Sequence, residues 1–526
     1  MQTFNLGAKK QSIELGGMEL AAFSGPVDQA LIPSPAVLFN YQGRQPGAAW
    51  RKAAQKRIER IRKADLRLSV TRHGRPWAGT PVRVSMQRHL FGFGTAVNAA
   101  LITPASPSPY MEHIQKLFNK AVLENHLKWG HWSADSVSVA TTAIDWLNSR
   151  RIPVRGHVLV WPSWVFMPSH VSRSDPALLQ RQISDHIDEA ARLFEGKLPE
   201  WDVANETFTQ YEAINLIGEN AVPSWFRRAR EKMPGVKLYI NDYDILSAND
   251  VGHREYYFNQ IRDLVRQDVP IDGIGMQSHF GCTPTPPAEV LKRLDRYAKL
   301  GLEIQSTEFD VSMTDERRQA DYTRDFMTAI FSHPAVTGFL MWGFWEGAHY
   351  SPVCAMYQRD WTEKPNGKVY RDLVFGKWWT DAKTRTDSRG SCAVSGYKGI
   401  YRVRIDSGTA RRDYDIMLDT DCSLRIDGDN DCALIQKKRP SARGRPEPSP
   451  LVVTRGNATI TFTPAGRGAS PWALHIFSPD NGSICRWETK GKEPVAWDAA
   501  RAQPGIYRAE FSQGRRRLTI VIPIRG

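Results

Sequence analysis

From Phe91 onward the chain alternates short apolar runs with longer amphipathic segments, and this alternation limits the fold more than any other feature. Apolar runs of strand length that alternate with helical periods are typical of a parallel α/β architecture. Eight such runs can be counted, which is the number of strands that a closed parallel barrel needs. The predicted strands are Phe91 to Val97, Leu123 to Trp129, Val154 to Trp161, Glu200 to Glu206, Lys237 to Asp244, Gly273 to Phe280, Leu302 to Asp310 and Gly338 to Trp345.

Polar side chains collect at the carboxyl ends of these predicted strands, whereas the strand starts are apolar. Examples are Asn125, His157, Glu206, Asn241, Gln277 and Glu308. A doubly wound sheet also uses repeated strand and helix units, but this crowding at one end favours a (β/α)8 TIM barrel with one shared site. The segments between the strands predict helices, including Asp175 to Phe194, Val251 to Gln267, Pro287 to Leu300 and Asp315 to His333.

The sequence predicts an N-terminal extension at 1–89 and the barrel at 90–375. The first fifty residues show no sustained period and predict irregular structure or a small β addition. Ala48 to Ala64 is rich in helix formers. Alternating apolar residues before and after a turn at His73 to Pro76 then predict a β-hairpin. Those apolar residues are Leu66, Leu68, Val70, Val82, Val84 and Met86.

After about Phe375 the helical pattern stops, and short apolar or alternating runs between Gly and Pro turns predict a β-sandwich-like region at 376–526. The stretch from Lys437 to Pro450 either links two β units or forms an exposed loop. Exposed planar Trp472 or Trp487 would favour carbohydrate binding by this region, whereas buried rings would indicate a core. The sequence assigns the region no ligand.

Composition excludes several classes of protein. Lys and Arg exceed Asp and Glu by 14, but the basic residues form only short clusters without interleaved aromatic residues, so we predict no nucleic-acid partner. No apolar run is long enough for a membrane span, and residues 1–17 contain no recognisable export signal. The cysteines lack metal-ligand spacing, so no metal or other cofactor is predicted. Four of the cysteines lie in the last quarter of the chain, namely Cys392, Cys422, Cys432 and Cys485. One or two disulfide bridges among them would need an oxidising compartment.

Glu206 and Glu308 each end an apolar run, so a barrel would bring both carboxyl groups to one face, where such a pair can cleave a glycosidic bond. Further motifs follow in order along the same segment: Glu124-Asn125 with Lys128-Trp129, Arg155-Gly156-His157 with Val160-Trp161, Trp201-Asp202-Val203 with Asn205-Glu206, Asn241-Asp242-Tyr243, Gly273-Ile274-Gly275 with Gln277-Ser278-His279, Thr307-Glu308-Phe309-Asp310, and Trp342-Gly343. In this order and spacing they resemble the catalytic barrel of glycoside hydrolase family 10, the retaining endo-β-1,4-xylanases.

The resemblance implies that Glu206 is the general acid/base and Glu308 the nucleophile. It places His279 and Asp310 beside the nucleophile. It also implies that Asn205 hydrogen-bonds the 2-hydroxyl of the reacting sugar and that Gln277 supports the nucleophile and that sugar. The implied substrate-binding residues are Glu124, Asn125, Lys128, His157, Trp161, Trp342 and Tyr350. The implied partner is xylan or xylo-oligosaccharides, with no cofactor, and the implied location is secreted or periplasmic.

Two departures from the family pattern affect substrate reach. Pro162 follows Trp161, where the family often has a histidine. In the last loop, where the family commonly has an aspartate and a second tryptophan, the chain reads Trp345 to Tyr350, so Tyr350 is expected to replace the aromatic lid. Two alternatives stay open: a carbohydrate-binding protein that has lost turnover, and a related β-glucanase.

Overall fold

The computed structural model describes residues 41–406 and 411–428, followed by the strand segments 432–437, 451–455, 459–464, 472–477, 483–489, 495–498, 505–513 and 516–524. The predicted irregular or β addition at the start of the chain lies mostly outside the described residues. So does nearly all of the stretch from Lys437 to Pro450. Within the described part, no helix is both long enough and apolar enough to cross a membrane.

A helix and three strands precede the barrel. Helix α1 covers Ala49–Arg62, close to the predicted bounds, and is followed by β1 (Lys63–Arg72), β2 (Arg75–Pro76) and β3 (Pro81–His89). The predicted turn is present, since Thr71 of β1 pairs with Pro76 of β2, but the predicted hairpin is wrong in its second strand, because β3 with Val82, Val84 and Met86 does not pair with β1. The chain then crosses to a different sheet, where β3 lies.

Eight parallel strands close into the predicted barrel, with the ring completed by pairing of the last strand, β12, with the first, β4. The short strand β10 is an addition that pairs with β11 beside β9. The bounds are β4 Gly92–Val97, β5 Lys120–Leu123, β6 Val154–Gly156, β7 Glu200–Asn205, β8 Lys237–Asp242, β9 Gly273–Met276, β10 His279–Phe280, β11 Glu303–Val311 and β12 Val336–Met341.

The second barrel strand is the one whose predicted position is wrong. The sequence placed it at Leu123 to Trp129, but β5 ends at Leu123, and the residues that follow form a loop and a 3-10 turn. The strand begins with a buried lysine, Lys120, which is stabilised by an ion pair of 2.5 Å with Glu200 inside the barrel. A charged residue at a buried strand start is not visible as part of an apolar run.

The helices lie between the barrel strands, and the four predicted from sequence are confirmed with ends within two residues. Three of these are preceded by an aspartate whose carboxylate accepts from backbone N–H of the first turn, namely Asp175, Asp250 and Asp315. The bounds are α2 Pro109–Leu117, α3 Ala134–Ser149, α4 Pro176–Leu193, α5 Glu212–Ile217, α6 Ala221–Lys232, α7 Val251–Arg266, α8 Pro287–Ala298, α9 Glu316–Ser332 and α10 Pro365–Asp372.

After a short π-helix at Leu373–Lys377, the regular elements of the remaining described chain are β strands, as the sequence predicts. The strands are β13 Asp381–Arg385, β14 Ser391–Tyr397, β15 Gly399–Asp406, β16 Arg411–Leu418, β17 Cys422–Asp427, β18 Cys432–Lys437, β19 Leu451–Arg455, β20 Thr459–Pro464, β21 Trp472–Phe477, β22 Ser483–Thr489, β23 Val495–Asp498, β24 Gly505–Gln513 and β25 Arg516–Ile524. The last seven form two further sheets, in the orders β19-β20-β23 and β22-β21-β24-β25.

Strands that precede the barrel in the sequence and strands that follow it are paired in two shared sheets. One sheet has the order β14-β1-β17-β18 and the other β13-β3-β15-β16. Leu66 of β1 pairs with Val394 of β14, and Val84 of β3 pairs with Val403 of β15. Leu66, Val84 and Val403 are buried in one hydrophobic cluster, so the apolar faces of the two sheets pack together.

The aromatic and sulfur side chains of the last quarter are mostly internal where they are described. Trp472 is buried, which fits the core role rather than an exposed sugar platform. The side chain of Trp487 lies outside the described residues, as does that of Cys432. Cys392 and Cys485 are free thiols, so neither takes part in a bridge.

Helix α1 is fastened to helix α9 of the barrel by buried polar contacts. Asp325 of α9 accepts a hydrogen bond of 2.8 Å from the hydroxyl of Tyr41, and it forms a bidentate ion pair with Arg51. Farther along α1, Arg62 donates to the backbone carbonyls of Phe331 and Val336. The side chain of Asp325 is fully buried, so these donors compensate a charge that has left water.

Candidate active site

The two glutamates singled out from sequence lie at the carboxyl face of the barrel. Glu206 directly follows β7, and its backbone has φ +55°, a region that non-glycine residues seldom adopt and that is found preferentially at functional sites. Glu308 lies within β11 and is only 4% exposed. The strand ends therefore present one partly buried and one buried carboxyl group.

A bridge of amide side chains connects the two carboxyl groups. Gln277 donates from Nε2 to Oε1 of Glu206 at 2.8 Å, while Asn241 donates from Nδ2 to Oε1 of Glu308 at 2.8 Å. The Oδ1 atom of Asn205 accepts from both amides, at 3.4 Å from Gln277 and 2.9 Å from Asn241. The bridge places Asn205 between the two glutamates and fixes its orientation.

The Nδ2 atom of Asn205 is buried and makes no close hydrogen bond among the described residues, although the amide lies near enough to Glu206 to lower the pKa of that carboxyl group. An unpartnered amide in the interior is costly, so native proteins seldom keep one without a ligand or a water molecule to meet it. The donor lies beside the two carboxyl groups because Oδ1 of the same amide is held by the bridge. A hydroxyl group of a bound ligand would satisfy this donor.

Glu308 also faces a histidine and aspartate pair. The Nε2 atom of His279 lies 3.4 Å from Oε2 of Glu308, and its Nδ1 atom lies 2.9 Å from Oδ2 of Asp310. Burial opposes a charge on this imidazole, but the hydrogen bonds to Asp310 and Glu308 outweigh it and raise the pKa of His279 to about 10. His279 is therefore a cation next to Glu308 at neutral pH.

Tyr350 completes this part of the site from the loop after β12. Its hydroxyl donates to Oδ2 of Asp310 at 2.6 Å, and its ring lies edge-on to His279 with 6.1 Å between the ring centroids. The sequence expected Tyr350 to act through its ring as a lid. The structure adds a polar contact of the Tyr350 hydroxyl with Asp310.

The remaining predicted residues line the side of the site next to β5 and β6. Lys128 donates from Nζ to Oδ1 of Asn125 at 3.1 Å, and its ammonium lies 5.2 Å from the ring centroid of Trp161 and 5.7 Å from that of Trp342. His157 packs edge-on to Trp342 with 5.5 Å between the centroids. Lys128 is thus enclosed by aromatic faces, which favour a cation.

Glu124 is the least tightly integrated member of the predicted set. It follows β5 and is partly buried. Burial raises its pKa, the charge of Lys128 lowers it and that of Glu308 raises it, so Glu124 acts electrostatically on the same centre. All thirteen residues predicted from sequence are therefore close enough to one another to form one site, through the contacts and charge interactions given above.

The pKa values of Glu206 and Glu308 move in opposite directions. Burial raises the pKa of Glu206 to about 7, the hydrogen bond from Gln277 opposes this, and the charges of Glu308 and Asp242 add to it. Burial alone would also raise the pKa of Glu308, but the hydrogen bond from His279 and nearby positive charge, including that of Lys128, outweigh it, so the pKa is lowered. One carboxyl group thus holds a proton near neutral pH while the other is ionised.

Three contributors were not selected from sequence. Asn241 stood in a quoted motif, at a strand end, and that position was the signal for its role in the bridge. Asp202 accepts from His157, with 2.9 Å between Nδ1 and Oδ2, and it is also paired with Arg155 inside the barrel. Phe166 stacks on Trp161 with 3.6 Å between the ring centroids. Side-chain pairing across strands and loops leaves no local sequence signal.

Comparison with known proteins gives one family for this barrel. The model of the family described as Glycosyl hydrolase family 10 matches residues 83–369, which is more than half of the chain. This segment includes every barrel strand and every residue of the site described above.

Two relatives illustrate the range of proteins that carry a similar segment. The chain is 32% identical over 367 residues to the anti-sigma-I factor RsgI6 of Acetivibrio thermocellus, with 68% of this chain and 47% of that protein covered. It is 30% identical over 361 residues to endo-1,4-beta-xylanase 1 of Arabidopsis thaliana, with 67% of this chain and 38% of that protein covered. The match thus spans less than half the length of either relative.

Among solved structures, xylanase 10B from Thermotoga petrophila, determined in complex with xylobiose, is similar with a TM-score of 0.50 and 25% sequence identity. The match covers 55% of this chain and 95% of that one. The ordered motifs, the closed eight-stranded barrel and the match to the family model agree. The chain belongs to glycosyl hydrolase family 10.

Proposed function

We propose that this chain is a retaining endo-1,4-β-xylanase that uses Glu308 as nucleophile and Glu206 as general acid/base. The observation that carries the proposal is the pair of bridged carboxyl groups with opposite pKa displacements, one raised to about 7 and the other lowered. Retaining hydrolysis needs this combination, because an ionised carboxylate must attack the sugar while a protonated one assists departure of the leaving group.

In the first step, Oε of Glu308 forms a bond to the anomeric carbon as the glycosidic bond breaks, and Glu206 gives its proton to the leaving oxygen. In the second step, Glu206 takes a proton from water, the water oxygen bonds to the anomeric carbon, and Glu308 leaves as the carboxylate. The cationic His279 beside Glu308 stabilises this carboxylate before attack and after departure.

Asn205 supports the same chemistry through substrate binding. Its free Nδ2 donor is suited to a sugar hydroxyl next to the reacting carbon, and the bridge from Gln277 and Asn241 holds the amide in place. A hydrogen bond that shortens as charge develops on the sugar favours the transition state over the ground state. Xylan is the proposed polymer because relatives and solved neighbours of this barrel are named xylanases.

The test is release of reducing sugar from xylan, cellulose and mixed-linkage glucan by the wild type and by Glu308→Gln. We expect activity on xylan and a loss of at least about a thousandfold in the variant, because an amide cannot act as the nucleophile. The matched control is Glu303→Gln, since Glu303 lies on the same strand β11 at its opposite end. Full activity in Glu308→Gln, or no activity of the wild type on any of the three polymers, would exclude the proposal.

The stereochemical part has its own test. Proton NMR of a freshly started digestion should show the β-anomer of the new reducing end before mutarotation, because two displacements at the anomeric carbon restore its configuration. An α-anomer as first product would mean direct attack by water and would remove the nucleophile role from Glu308.

A second candidate is a carbohydrate-binding protein with little or no turnover. The observation in its favour is that one of the relatives carrying this segment is named as an anti-sigma factor rather than an enzyme. Binding of xylo-oligosaccharides by the wild type, measured by calorimetry and without sugar release, would support this candidate. Preference for mixed-linkage glucan over xylan in the same sugar-release assay would indicate the related β-glucanase activity.

A further inference from the structure

Tyr350 lies at the open side of the site, on the loop between β12 and α10. It is 59% exposed, and its ring stacks on His349 with 5.3 Å between the centroids. An aromatic ring so exposed is available to a ligand on one side. The ring position alone would be met equally well by phenylalanine or tryptophan.

The hydroxyl of Tyr350 has a specific partner inside the site. It donates to Oδ2 of Asp310 at 2.6 Å, and the same oxygen lies 2.9 Å from Nδ1 of His279. Asp310 is 2% exposed, and within the described part of the chain its carboxylate accepts side-chain hydrogen bonds from these two groups. A buried carboxylate is held in one orientation by its donors and is costly without them.

We propose that Tyr350 is a positioning residue for the nucleophile: its hydroxyl fixes Asp310, Asp310 orients the imidazole of His279, and that imidazole supports the ionised carboxylate of Glu308. The inference rests on the proposed function, in which Glu308 is the nucleophile. The four groups form a continuous series, since Nε2 of His279 lies 3.4 Å from Oε2 of Glu308. The ring of Tyr350 thus faces the open side of the site, while its hydroxyl binds the buried carboxylate of Asp310.

Other titratable groups act on the same series and stay in place when the hydroxyl is removed. Four titratable groups interact through their charges with Glu308, namely Glu124, Lys128, His157 and Glu206. Those that interact with Asp310 or His279 are Asp244, His349 and Cys354. A change seen on loss of the Tyr350 hydroxyl alone therefore reports its short hydrogen bond to Asp310 together with its longer contact, of 3.5 Å, with Nδ1 of His279.

The test compares Tyr350→Phe with the wild type on xylan, measuring kcat, KM and the pH dependence of kcat/KM. We expect kcat to fall about tenfold, because a hydrogen bond to a charged group is lost, and KM to stay within about twofold, because the ring is kept. The acidic limb of kcat/KM should move upward by roughly half a pH unit or more, since Glu308 loses support for its ionised form. Tyr350→Ala should in addition raise KM.

The matched control is Tyr357→Phe. Tyr357 follows β12 as well, and its hydroxyl donates to a carboxylate, Glu363, at 3.1 Å, but that carboxylate is not in contact with His279 or Glu308. We expect the acidic limb of this variant to coincide with that of the wild type. A Tyr350→Phe profile that coincides with the wild type, or an acidic limb displaced to lower pH, would overturn the inference while leaving the proposed function intact.

A second measurement does not depend on turnover. Titration of protein labelled with 15N-histidine, with the His279 signal assigned by its loss in His279→Gln, should show the imidazole of His279 titrating at lower pH in Tyr350→Phe than in the wild type. Superimposable titrations would overturn the inference. Failure of the wild type to hydrolyse xylan would refute the proposed function alone, because this titration would still decide whether Tyr350 acts on His279.

Discussion

Asn241 holds Glu308 by a hydrogen bond of 2.8 Å from Nδ2 to Oε1. The oxygen of the same amide accepts from the hydroxyl of Thr307 at 2.7 Å, so the amide is fixed from both ends. We expect Asn241→Ala to lower kcat by about tenfold to a hundredfold, because Glu308 would lose a donor and its fixed position for attack. Kinetics on xylan measure the effect, with the melting temperature as a check on folding; unchanged kcat would remove Asn241 from the site.

The pH dependence of activity should be bell-shaped. Glu206 must carry its proton for the first step, and its pKa is raised to about 7, so kcat/KM should fall as the pH rises through about 7. Glu308 must be ionised, and its pKa is lowered, so the acidic limb should lie below the ordinary glutamate value. Rates measured between pH 3 and 9 test both limbs, and a basic limb well above pH 8 would contradict the assignment of Glu206.

The two carboxyl groups should titrate as a coupled pair. The charge of Glu308 helps to raise the pKa of Glu206, so Glu308→Gln should lower the pKa of Glu206 toward its ordinary value. The pKa can be followed directly by 13C NMR of protein labelled at the glutamate carboxyl carbon, which needs no activity. Glu303→Gln, at the far end of the same strand, is the control that should leave the titration of Glu206 unchanged.

Lys128 should affect the acidic limb more than the basic one, because its charge interacts more strongly with Glu308 than with Glu206. Burial lowers the pKa of Lys128 and the neighbouring charges of Glu308, Glu124 and Glu206 raise it, while its own charge helps to keep Glu308 ionised. Lys128→Met keeps most of the apolar stem and removes the charge, so the acidic limb of kcat/KM should move to higher pH. An acidic limb at the wild-type pH would mean that other groups alone set the ionisation of Glu308.

Stability should depend on the contact between α1 and α9. Arg51→Met leaves the buried carboxylate of Asp325 without its bidentate partner, although Tyr41 and the half-exposed Arg324 still donate to it. Because the loss of a partner from a buried charge is costly, we expect the free energy of unfolding to fall by about 2 kcal/mol. Chemical denaturation measures the change.

The control for this experiment is Arg83→Met, which breaks an exposed ion pair with Asp381 between the paired strands β3 and β13. Both side chains of that pair are more than 40% exposed, and such pairs contribute little to stability. Equal destabilisation by the two variants would mean that the contact of Arg51 with Asp325 has no special role.

Much of the barrel could be predicted because its signals are local. The apolar run that ends at Glu206, the run that contains Glu308 and the helices that begin after Asp175 and Asp315 are visible in single stretches of sequence. The failure at the second strand has a local cause too: Lys120 is buried, and its partner Glu200 lies on another strand. A pairing of this kind cannot be recognised from one stretch alone.

The contacts within the site were harder to predict than its members. Sequence position suggested that Asn205, Gln277 and Tyr350 belong to the site, but not that Asn205 bridges two amides or that Tyr350 donates to Asp310. The division of the chain at residues 89 and 375 stays a prediction. Leu66 precedes the barrel in the sequence and Val394 follows it, yet the two residues pair. The alternation of apolar residues within β1 and β14 does not specify that these two strands are partners.

Two sheets contain strands that precede the barrel in the sequence together with strands that follow it, and this has a consequence for synthesis. A ribosome releases the chain from its amino end, so β1 emerges about three hundred residues before β14, with which it pairs. Until then β1 lacks the strands β14 and β17 on either side of it, and the two sheets that contain β1 and β3 form only after the whole barrel has been made. A nascent chain that stops within the barrel would leave these strands exposed to other chains or to chaperones.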